Sequence, residues 1–278
     1  MLKLKLLFIT ALSILLNGQA FAIIGGREVP STDPLKYKIV LIYLRNTSQG
    51  ASICTGSLLP DNIILTAAHC LVDVKKKDVV LVFGPNVQCA KDKQCPTFGV
   101  KDMAIHEQYA SRRKIEIKLA KAKKKIPQKS LSASVDLAVI KIDGQAPPEY
   151  QPFTRLGFPN TKPEEIVQVG FGATNALGEG MGHALRSTQK SITDLSTQKN
   201  LPLIMVHQPD TGVCHGDSGG PLVMQNEFEA ALTGVGDSVI NKDPNPEKIC
   251  SSAAVYTRVD MNLPWINAAI AKLNAGSN

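Results

Sequence analysis

The chain contains many short, strongly β-prone runs, and turn-forming residues separate them. Such runs of three to seven apolar and β-branched residues are residues 37–43, 63–65, 79–83, 137–142, 166–169, 203–206, 222–224 and 253–257. The separators include Gly84-Pro85, Pro147-Pro148 and Asp243-Pro244. Many short strands with this punctuation predict an all-β sandwich or barrel.

Helical periodicity occurs in two places. Near the C-terminus, Pro264 is followed by apolar residues at Ile266, Ala269, Ile270 and Leu273. In the second place, apolar residues recur at spacings of three and four: Ile115, Leu119, Ala122 and Ile126. These spacings predict one helix at the end of the chain and one inside a lysine-rich segment.

The first 22 residues have the layout of a secretory signal peptide. Lys3 and Lys5 precede an apolar run over residues 6–16, and Ala20 and Ala22 form a small-x-small cleavage site. The run is short for a bilayer span, although an uncleaved anchor is the alternative. We therefore expect a signal peptide over 1–22, a mature domain over 23–278 without a membrane span, and a secreted or periplasmic location.

Cysteine usage agrees with export, because every cysteine lies after the signal peptide. The six are Cys54, Cys70, Cys89, Cys95, Cys214 and Cys250. An even number in an exported protein indicates disulfides, although six cysteines allow fifteen connectivities. No CxxC pair is present, and the histidines do not fall at ligand spacing around the cysteines, so we expect no metal and no cofactor.

The formal charge of +7 arises from one segment. Residues 111–130 hold nine Lys or Arg and a single acid, Glu116, whereas the mature chain outside them holds 20 basic and 23 acidic residues. This segment is either a solvated charge run or a lid or exosite for acidic partners and anionic surfaces. A heparin- or nucleic-acid-binding role is a further alternative, but the segment lacks the interleaved aromatic residues that stack on bases, so we expect no specific nucleic acid.

The glycine-rich octet over residues 214–221 is the strongest chemical signal. It reads Cys-His-Gly-Asp-Ser-Gly-Gly-Pro and places Ser218 among three glycines. A serine hydroxyl is a poor nucleophile unless a base takes its proton and donors hold the developing oxyanion. Flanking glycines let the backbone turn tightly, so that N–H groups can converge beside the hydroxyl.

Two further residues complete a set that suits nucleophilic catalysis. His69 ends the run Thr-Ala-Ala-His after an apolar strand, and Asp136 directly precedes the apolar run 137–142. Either residue alone is commonplace, as a buried histidine or a turn aspartate. Together with Ser218 they supply a nucleophile, a base and an orienting acid.

These motifs resemble the trypsin/chymotrypsin family of serine proteases. The resemblance rests on the stretches 23–26 (Ile-Ile-Gly-Gly), 66–70 (Thr-Ala-Ala-His-Cys), 136–138 (Asp-Leu-Ala) and 216–221 (Gly-Asp-Ser-Gly-Gly-Pro). Weaker landmarks follow in order at 170–172, 255–259 and 265–266, so it covers most of residues 23–273. It implies two antiparallel six-stranded β-barrels divided near 147–160, a C-terminal helix, a site in the cleft between the barrels, and a monomer.

The resemblance also implies the roles of the site residues. His69 is the base, Asp136 orients it, Ser218 attacks a protein or peptide substrate, and the N–H groups of Gly216 and Ser218 form the oxyanion hole. It implies the disulfides Cys54–Cys70 and Cys214–Cys250, which leaves Cys89 and Cys95 for each other. A catalytically inactive binding module is the alternative, but such proteins usually lose a triad member or the glycine turn, and this sequence keeps both.

The substrate pocket departs from the trypsin pattern. Gly212 stands where a trypsin has an aspartate at the pocket floor, and the resemblance places Val213, Val239 and Ala254 around it. We expect a neutral, partly filled pocket that favours small to medium apolar residues. Two acids lie close in sequence, Asp210 and Asp237, so a preference for basic residues is the alternative.

The resemblance further implies an activation pair. In this family the new α-ammonium of the first mature residue, here Ile23, pairs with the aspartate beside the nucleophile, here Asp217. Because Ala22 precedes Ile23 directly, signal cleavage and activation would be a single event. The rival is cleavage after Ala20, which leaves Phe21 and Ala22 to be trimmed.

Overall fold

The structure is a computed structural model that describes residues 23–47, 50–123, 135–197, 201–227, 229–241 and 243–276. The strands are β1 (Arg27–Glu28), β2 (Ile39–Thr47), β3 (Gly50–Leu59), β4 (Ile63–Thr66), β5 (Val79–Val82), β6 (Thr97–Ile105), β7 (Ala138–Asp143), β8 (Glu165–Gly170), β9 (Arg186–Ser191), β10 (Leu195–Thr197), β11 (Leu203–His207), β12 (Pro221–Gln225), β13 (Ala230–Ile240) and β14 (Ala253–Arg258). The α-helices are α1 (Val87–Lys91), α2 (Glu107–Lys121) and α3 (Leu263–Ala275).

The first half of the chain forms a closed antiparallel barrel. Its strand order is β2-β3-β4-β7-β6-β5. Strands β4 and β7 read as nearly continuous apolar runs, and their residues Ile64 and Ile140 are paired and fully buried. Because the barrel is closed, each of its strands is paired on both sides. Side chains alternate along a strand between the inside and the outside of the barrel, so one face of each strand forms the barrel core.

The second half forms a curled eight-stranded sheet in the order β1-β9-β8-β12-β13-β14-β11-β10. The expected all-β, chymotrypsin-like class is therefore confirmed, with one difference in detail. The second unit is not a closed six-stranded barrel, because β1 and β10 extend it to eight strands and stand at opposite edges. Ile204, Leu222 and Tyr256 are buried in its core.

The two halves exchange their chain ends. The chain passes from the barrel to the sheet between Asp143 and Glu165, a stretch that contains the predicted divide at 147–160. Strand β1, however, precedes the barrel and pairs with β9 of the sheet. Helix α3 follows the sheet and packs on the barrel, where Lys141 Nζ donates to Asn274 Oδ1 at 2.8 Å. This exchange ties the halves together across the cleft.

Both predicted helices are present, and the disulfides are formed. Helix α3 includes the predicted C-terminal residues, while α2 ends at Lys121, and Ile126 lies outside the described residues. Disulfides join Cys54 to Cys70, Cys89 to Cys95 and Cys214 to Cys250. The predicted signal peptide also lies outside the described residues, and no helix among them has the length and apolar character that a membrane span needs.

Candidate active site

Strand pairing in the barrel brings His69 and Asp136 together. The pair Thr66–Ala138 joins the end of β4 to the start of β7. Asp136 lies just before β7, and His69 lies in a short 3-10 turn just after β4. The disulfide of Cys70 to Cys54 on β3 ties this turn to the barrel wall.

Two hydrogen bonds fix the imidazole of His69 on Asp136. The backbone N–H of His69 donates to Asp136 Oδ1 at 2.8 Å, and Nδ1 lies 2.6 Å from Asp136 Oδ2. The Asp136 side chain is 3% exposed, whereas that of His69 is 30% exposed. The carboxylate is therefore shielded from water, while one edge of the imidazole stays open to the cleft.

Thr55 on β3 holds the turn that carries Ser218. Its backbone N–H donates to Ser218 O at 2.8 Å, and its Oγ1 donates to Gly216 O at 3.0 Å. The N–H of Phe171 in turn donates to Thr55 Oγ1 at 3.1 Å. This fully buried threonine belongs to the barrel, so it fixes a turn of the second sheet from across the cleft. The sequence reasoning missed Thr55, which no motif marks.

The turn itself requires glycine and presents two free donors. Gly216 has a φ of +92°, and a Cβ there would lie 3.0 Å from Ile53 Cγ1. Within the described part of the chain, the N–H groups of Gly216 and Ser218 have no acceptor. Unpaired backbone donors at a tight turn are suited to holding an oxyanion.

His69 and Ser218 border one cavity of about 390 Å³ in the cleft. Tyr109 and Arg113 of α2 also line it, so the lysine-rich segment begins at the wall of the site. Two contacts hold α2 in place. The guanidinium of Arg113 forms an ion pair with Asp73, with Nη2 at 2.6 Å from Oδ2. Nε1 of Trp265 donates to Glu107 Oε2 at 2.9 Å. The described half of this segment is thus a helix anchored beside the cleft.

Charges near the pair favour a protonated imidazole. Burial opposes the charge on His69, but the hydrogen bond and charge of Asp136, together with the charge of Asp237, raise its pKa. Burial, and then the charge of Asp136, raises the pKa of Asp237 to about 6. Asp237 lies at the β-bulge of β13, where the pairing with β14 shifts between Gly236 and Ser238. In the sequence, Asp237 is marked only by its neighbours: residues 234–239 read Gly-Val-Gly-Asp-Ser-Val and depart from the Ser-aromatic-Gly run that is usual in the family that the motifs resemble.

A second cavity of about 140 Å³ lies beside Ser218. Its apolar walls are Val213, Val239 and Val255, and Asp237 also lines it. Of the residues expected here from the sequence, Val213 and Val239 therefore border the cavity. Val255 was missed, although it directly follows Ala254.

Gly212 and Ala254 are not among the residues that line this cavity. Gly212 instead exchanges two 3.0 Å backbone hydrogen bonds with Ile24, and a Cβ on it would collide with the side chain of Gln208. Gln208 is fully buried and donates to Val213 O at 2.9 Å, so a neutral amide lies behind the cavity. Asp210 borders a different cavity.

Asp217 points into the protein beneath the turn. Its carboxylate accepts the N–H of Gly172 at 2.7 Å and that of Cys214 at 2.9 Å. Burial raises its pKa to about 7, although these donors favour the ionised form. Ile23 is fully buried in the same core cluster as Val213, next to the Ile24–Gly212 pair.

Two clusters of the described residues combine a histidine with two cysteines: Cys54, His69 and Cys70, and Cys214, His215 and Cys250. In both clusters the cysteines are bonded to each other. Because thiolates are the metal-binding form of cysteine, these sulfurs do not suit metal ligation.

Comparison with known proteins agrees with this geometry. The sequence model of the family described as Trypsin matches residues 23–266. The chain is similar to serine protease SSP1 of Scolopendra subspinipes, at 27% identity over 268 residues covering 88% of this chain and 82% of the relative. It is similar to a chymotrypsin of Phaedon cochleariae at 26% identity, covering 88% and 80%, and to granzyme M of Rattus norvegicus at 29%, covering 72% and 73%. Because the family match spans most of its length, the chain belongs to the trypsin family of serine proteases and is a serine-type endopeptidase.

Proposed function

We propose that this protein is a secreted endopeptidase in which Ser218 attacks the peptide carbonyl, His69 is the general base and Asp136 orients His69. The observation that carries the proposal is the double hydrogen bond between His69 and Asp136, which faces a cavity shared with Ser218. Since Nδ1 of His69 is engaged by Asp136, Nε2 is the nitrogen left for the serine proton.

The proposed reaction proceeds through an acyl-enzyme. His69 takes the Ser218 proton as Oγ attacks the carbonyl carbon, and the imidazolium then protonates the departing amine as the C–N bond breaks. In the second half a water molecule, deprotonated by His69, attacks the ester carbonyl. The C–O bond to Ser218 then breaks, and the imidazolium returns its proton to Ser218 Oγ. The nearby carboxylate of Asp136 stabilises each imidazolium without accepting its proton.

The N–H groups of Gly216 and Ser218 would hold the oxyanion in both tetrahedral intermediates. Their lack of an acceptor in the described structure supports this role. Thr55 fixes the carbonyls of the same two residues, so the donors keep their direction as charge develops. Pre-oriented donors stabilise a developing charge without reorganisation.

We propose that the cavity lined by Val213, Val239 and Val255 accepts a small to medium apolar residue on the acyl side of the cut. Its volume of about 140 Å³ and the neutral Gln208 behind it support this preference. The competing outcome is a preference of the cavity for basic substrate residues, because Asp237 also lines it. A cationic side chain buried in the cavity loses its hydration, and it would be compensated only if the Asp237 carboxylate faced it.

Activation is proposed to follow cleavage after Ala22, with export of the chain. The new ammonium of Ile23 would pair with the buried carboxylate of Asp217. Among the described residues, this carboxylate accepts hydrogen bonds from the backbone N–H groups of Gly172 and Cys214 alone. Ile23 has a φ of +53°, which is strained for a β-branched residue. The φ angle of Ile23 is defined by the peptide bond to the preceding residue, so cleavage of that bond removes the strain.

A substrate panel tests the proposed activity and its preference. Mature enzyme should hydrolyse chromogenic amides of Ala, Val and Leu faster than those of Phe or Arg. Ser218→Ala should lose about 10⁵- to 10⁶-fold in kcat. Ser196→Ala, on β10 away from the cleft, is the matched control and should stay active. Near-normal hydrolysis by Ser218→Ala would refute the nucleophile, and a clear win for Arg would refute the apolar pocket.

A further inference from the structure

Helix α2 forms part of the wall of the catalytic cleft, yet few contacts hold it there. Its residues Tyr109 and Arg113 line the cavity that His69 and Ser218 share, and the helix packs against the short turn that carries His69. The structure describes all fifteen residues of the helix, and none of them is buried. Because no side chain anchors the helix in the core, its position depends on the contacts of its first two turns.

His106, the residue that precedes α2, contacts three backbone groups. Its Nδ1 accepts the N–H of Gln108 at 3.3 Å and so caps the helix, and its carbonyl oxygen accepts the N–H of Ala110 at 3.0 Å. Its own N–H donates to the carbonyl oxygen of Leu137 at 2.9 Å. His106 therefore connects the start of α2 to the segment that carries Asp136.

The surroundings of the imidazole keep it neutral. His106 is 8% exposed, and its ring lies against that of Trp265 in α3, with 4.8 Å between the ring centroids. Burial lowers the pKa of His106 below its ordinary value of 6.5, and the charge of Glu107 on α2 opposes this only in part. Glu107 is itself engaged, because its Oε2 accepts the Nε1–H of Trp265 at 2.9 Å. The other neighbours of His106 are uncharged: the indole of Trp265 and the carbonyl of Leu137.

Protonation of His106 would break the cap. An imidazolium carries a hydrogen on each nitrogen, so Nδ1 would no longer accept the N–H of Gln108. Its positive charge would also stand at the positive end of the helix dipole, where a cation is unfavourable. The same charge would attract the carboxylate of Glu107 and compete with Trp265 for it. All three effects weaken the contacts that hold the first turn of α2.

We propose that His106 is a positioning residue for the catalytic cleft: its neutral imidazole holds the first turn of α2 at the wall, and its protonation releases that turn. Tyr109 lies in this turn and lines the cavity of His69 and Ser218, so release alters the wall of the cleft at mildly acid pH. This inference adds a pH response to the proposed proteolysis. Activity then depends on pH through the shape of the cleft as well as through the charge of His69.

The direction of the effect follows from proton linkage. Because the pKa of His106 is lower in the folded protein than in the unfolded chain, the unfolded chain binds more protons below about pH 6.5. The contribution of the cap to stability is therefore complete above this pH. It is lost as the pH falls through the lowered pKa of the folded protein.

Hydrogen exchange in the inactive Ser218→Ala enzyme tests the cap without any need for activity. After correction for intrinsic rates, we expect the amides of Gln108 and Ala110 to lose protection by about tenfold or more between pH 7.5 and 5.5, while those of β4 and β7 keep theirs. His106→Asn should abolish the change, because asparagine caps helices well and does not titrate. His207→Asn is the matched control, since His207 is exposed on β11 of the second sheet, and it should behave like its parent.

Protection of Gln108 and Ala110 that is equal at both pH values, or that still changes in His106→Asn, would overturn the cap. Activity of the mature enzyme then tests the effect on the cleft. Between pH 7.5 and 5.5, kcat/KM of His106→Asn on a chromogenic amide should fall at least about threefold less than that of wild type and of His207→Asn. An equal fall in all three would overturn the positioning role. Inactivity of all three at both pH values would instead overturn the proposed function and leave the exchange result as it stands.

Discussion

Thr55 and Asp237 lie beside the proposed catalytic residues although no motif contains them. Thr55 uses its backbone N–H and its hydroxyl to hold the turn of Ser218, and Asp237 places a second carboxylate beside the His69–Asp136 pair. A threonine in a strand and an aspartate near a glycine are both ordinary in sequence. Their roles depend on pairing between distant strands, so only the folded arrangement identifies them.

Replacing Asp237 should change the pH dependence of catalysis. His69 must be neutral to act as a base, and the charge of Asp237 helps to raise the pKa of His69. The pKa of Asp237 itself is about 6, so it is charged at neutral pH, where it faces His69, Asp136 and Arg112. Asp237→Asn should therefore move the acid limb of kcat/KM to lower pH, by roughly half a unit to one unit.

A pH profile of kcat/KM on a neutral peptide amide measures this shift. Asp210→Asn is the control, because Asp210 borders a separate cavity and should leave the acid limb in place. An unchanged profile in Asp237→Asn, or a shift to higher pH, would show that Asp237 does not act on His69.

At the scale of elements, the strands that could be predicted are those with apolar and β-branched residues. All eight apolar runs are strands or lie largely within them. Strand β9 was missed because it is polar, with the sequence Arg-Ser-Thr-Gln-Lys-Ser. Strands β3 and β13 were missed because glycines interrupt them, at Gly56 in one and at Gly234 and Gly236 in the other. Neighbouring strands supply the burial and hydrogen bonds that override these weak local preferences.

The site showed the same division between local and long-range information. His69, Asp136 and Ser218 stand in recognisable local motifs, and the first two meet as the resemblance implies. Of the four residues expected around the proposed acyl-side pocket, Val213 and Val239 line the cavity, and Gly212 and Ala254 do not. The register of β13 against β14 shifts between Gly236 and Ser238, and short motifs do not contain such a shift. Helix α1 was missed because five residues are too few for a periodic pattern.

The lysine-rich segment gives a prediction for one element. Its helix lines the cleft through Tyr109 and Arg113, while Lys124 and Lys125 lie outside the described residues. Neutralising Lys121, Lys123, Lys124 and Lys125 to Gln should slow cleavage of acidic proteins about three- to tenfold at low salt, with little effect on small neutral peptides.

The salt dependence of kcat/KM on an acidic and a neutral protein substrate measures this effect. The control carries the same charge change elsewhere, through Gln at the exposed Lys93, Lys101, Lys162 and Lys272. Equal losses on small peptides and acidic proteins would mean that the segment shapes the active site. Equal losses in the control would mean that net charge alone matters.

At the scale of the whole molecule, the N-terminal segment is held on the second sheet close to the site. Ile24 pairs with Gly212, β1 pairs with β9, and Asp217 lies under the turn that carries Ser218. In the uncleaved chain the pKa of Asp217 is raised to about 7, well above the usual carboxyl value near 4. The folded uncleaved chain then binds more protons than the unfolded chain, so its stability falls as pH rises from about 4 to 7.

Cleavage before Ile23 should remove this loss, because the ammonium would lower the pKa of Asp217. In a Ser218→Ala background, the chain that starts at Ile23 should gain stability over the uncleaved chain as pH rises, reaching about 3–5 kcal/mol near neutrality. Denaturant unfolding at pH 4.5 and 7.5 measures it, and Asp217→Asn in both forms should abolish the difference. A gap that is equal at both pH values would refute the pairing.

The central claim is that His69, oriented by Asp136, takes the proton of Ser218 and so makes this serine nucleophilic. The most direct test treats the mature enzyme with a serine-directed phosphonylating reagent and locates the adduct by mass spectrometry. We expect one adduct per molecule, on Ser218, and almost none in His69→Ala, whose serine is intact but has no base. Stoichiometric labelling of His69→Ala, or an adduct on another serine in an active enzyme, would contradict the account.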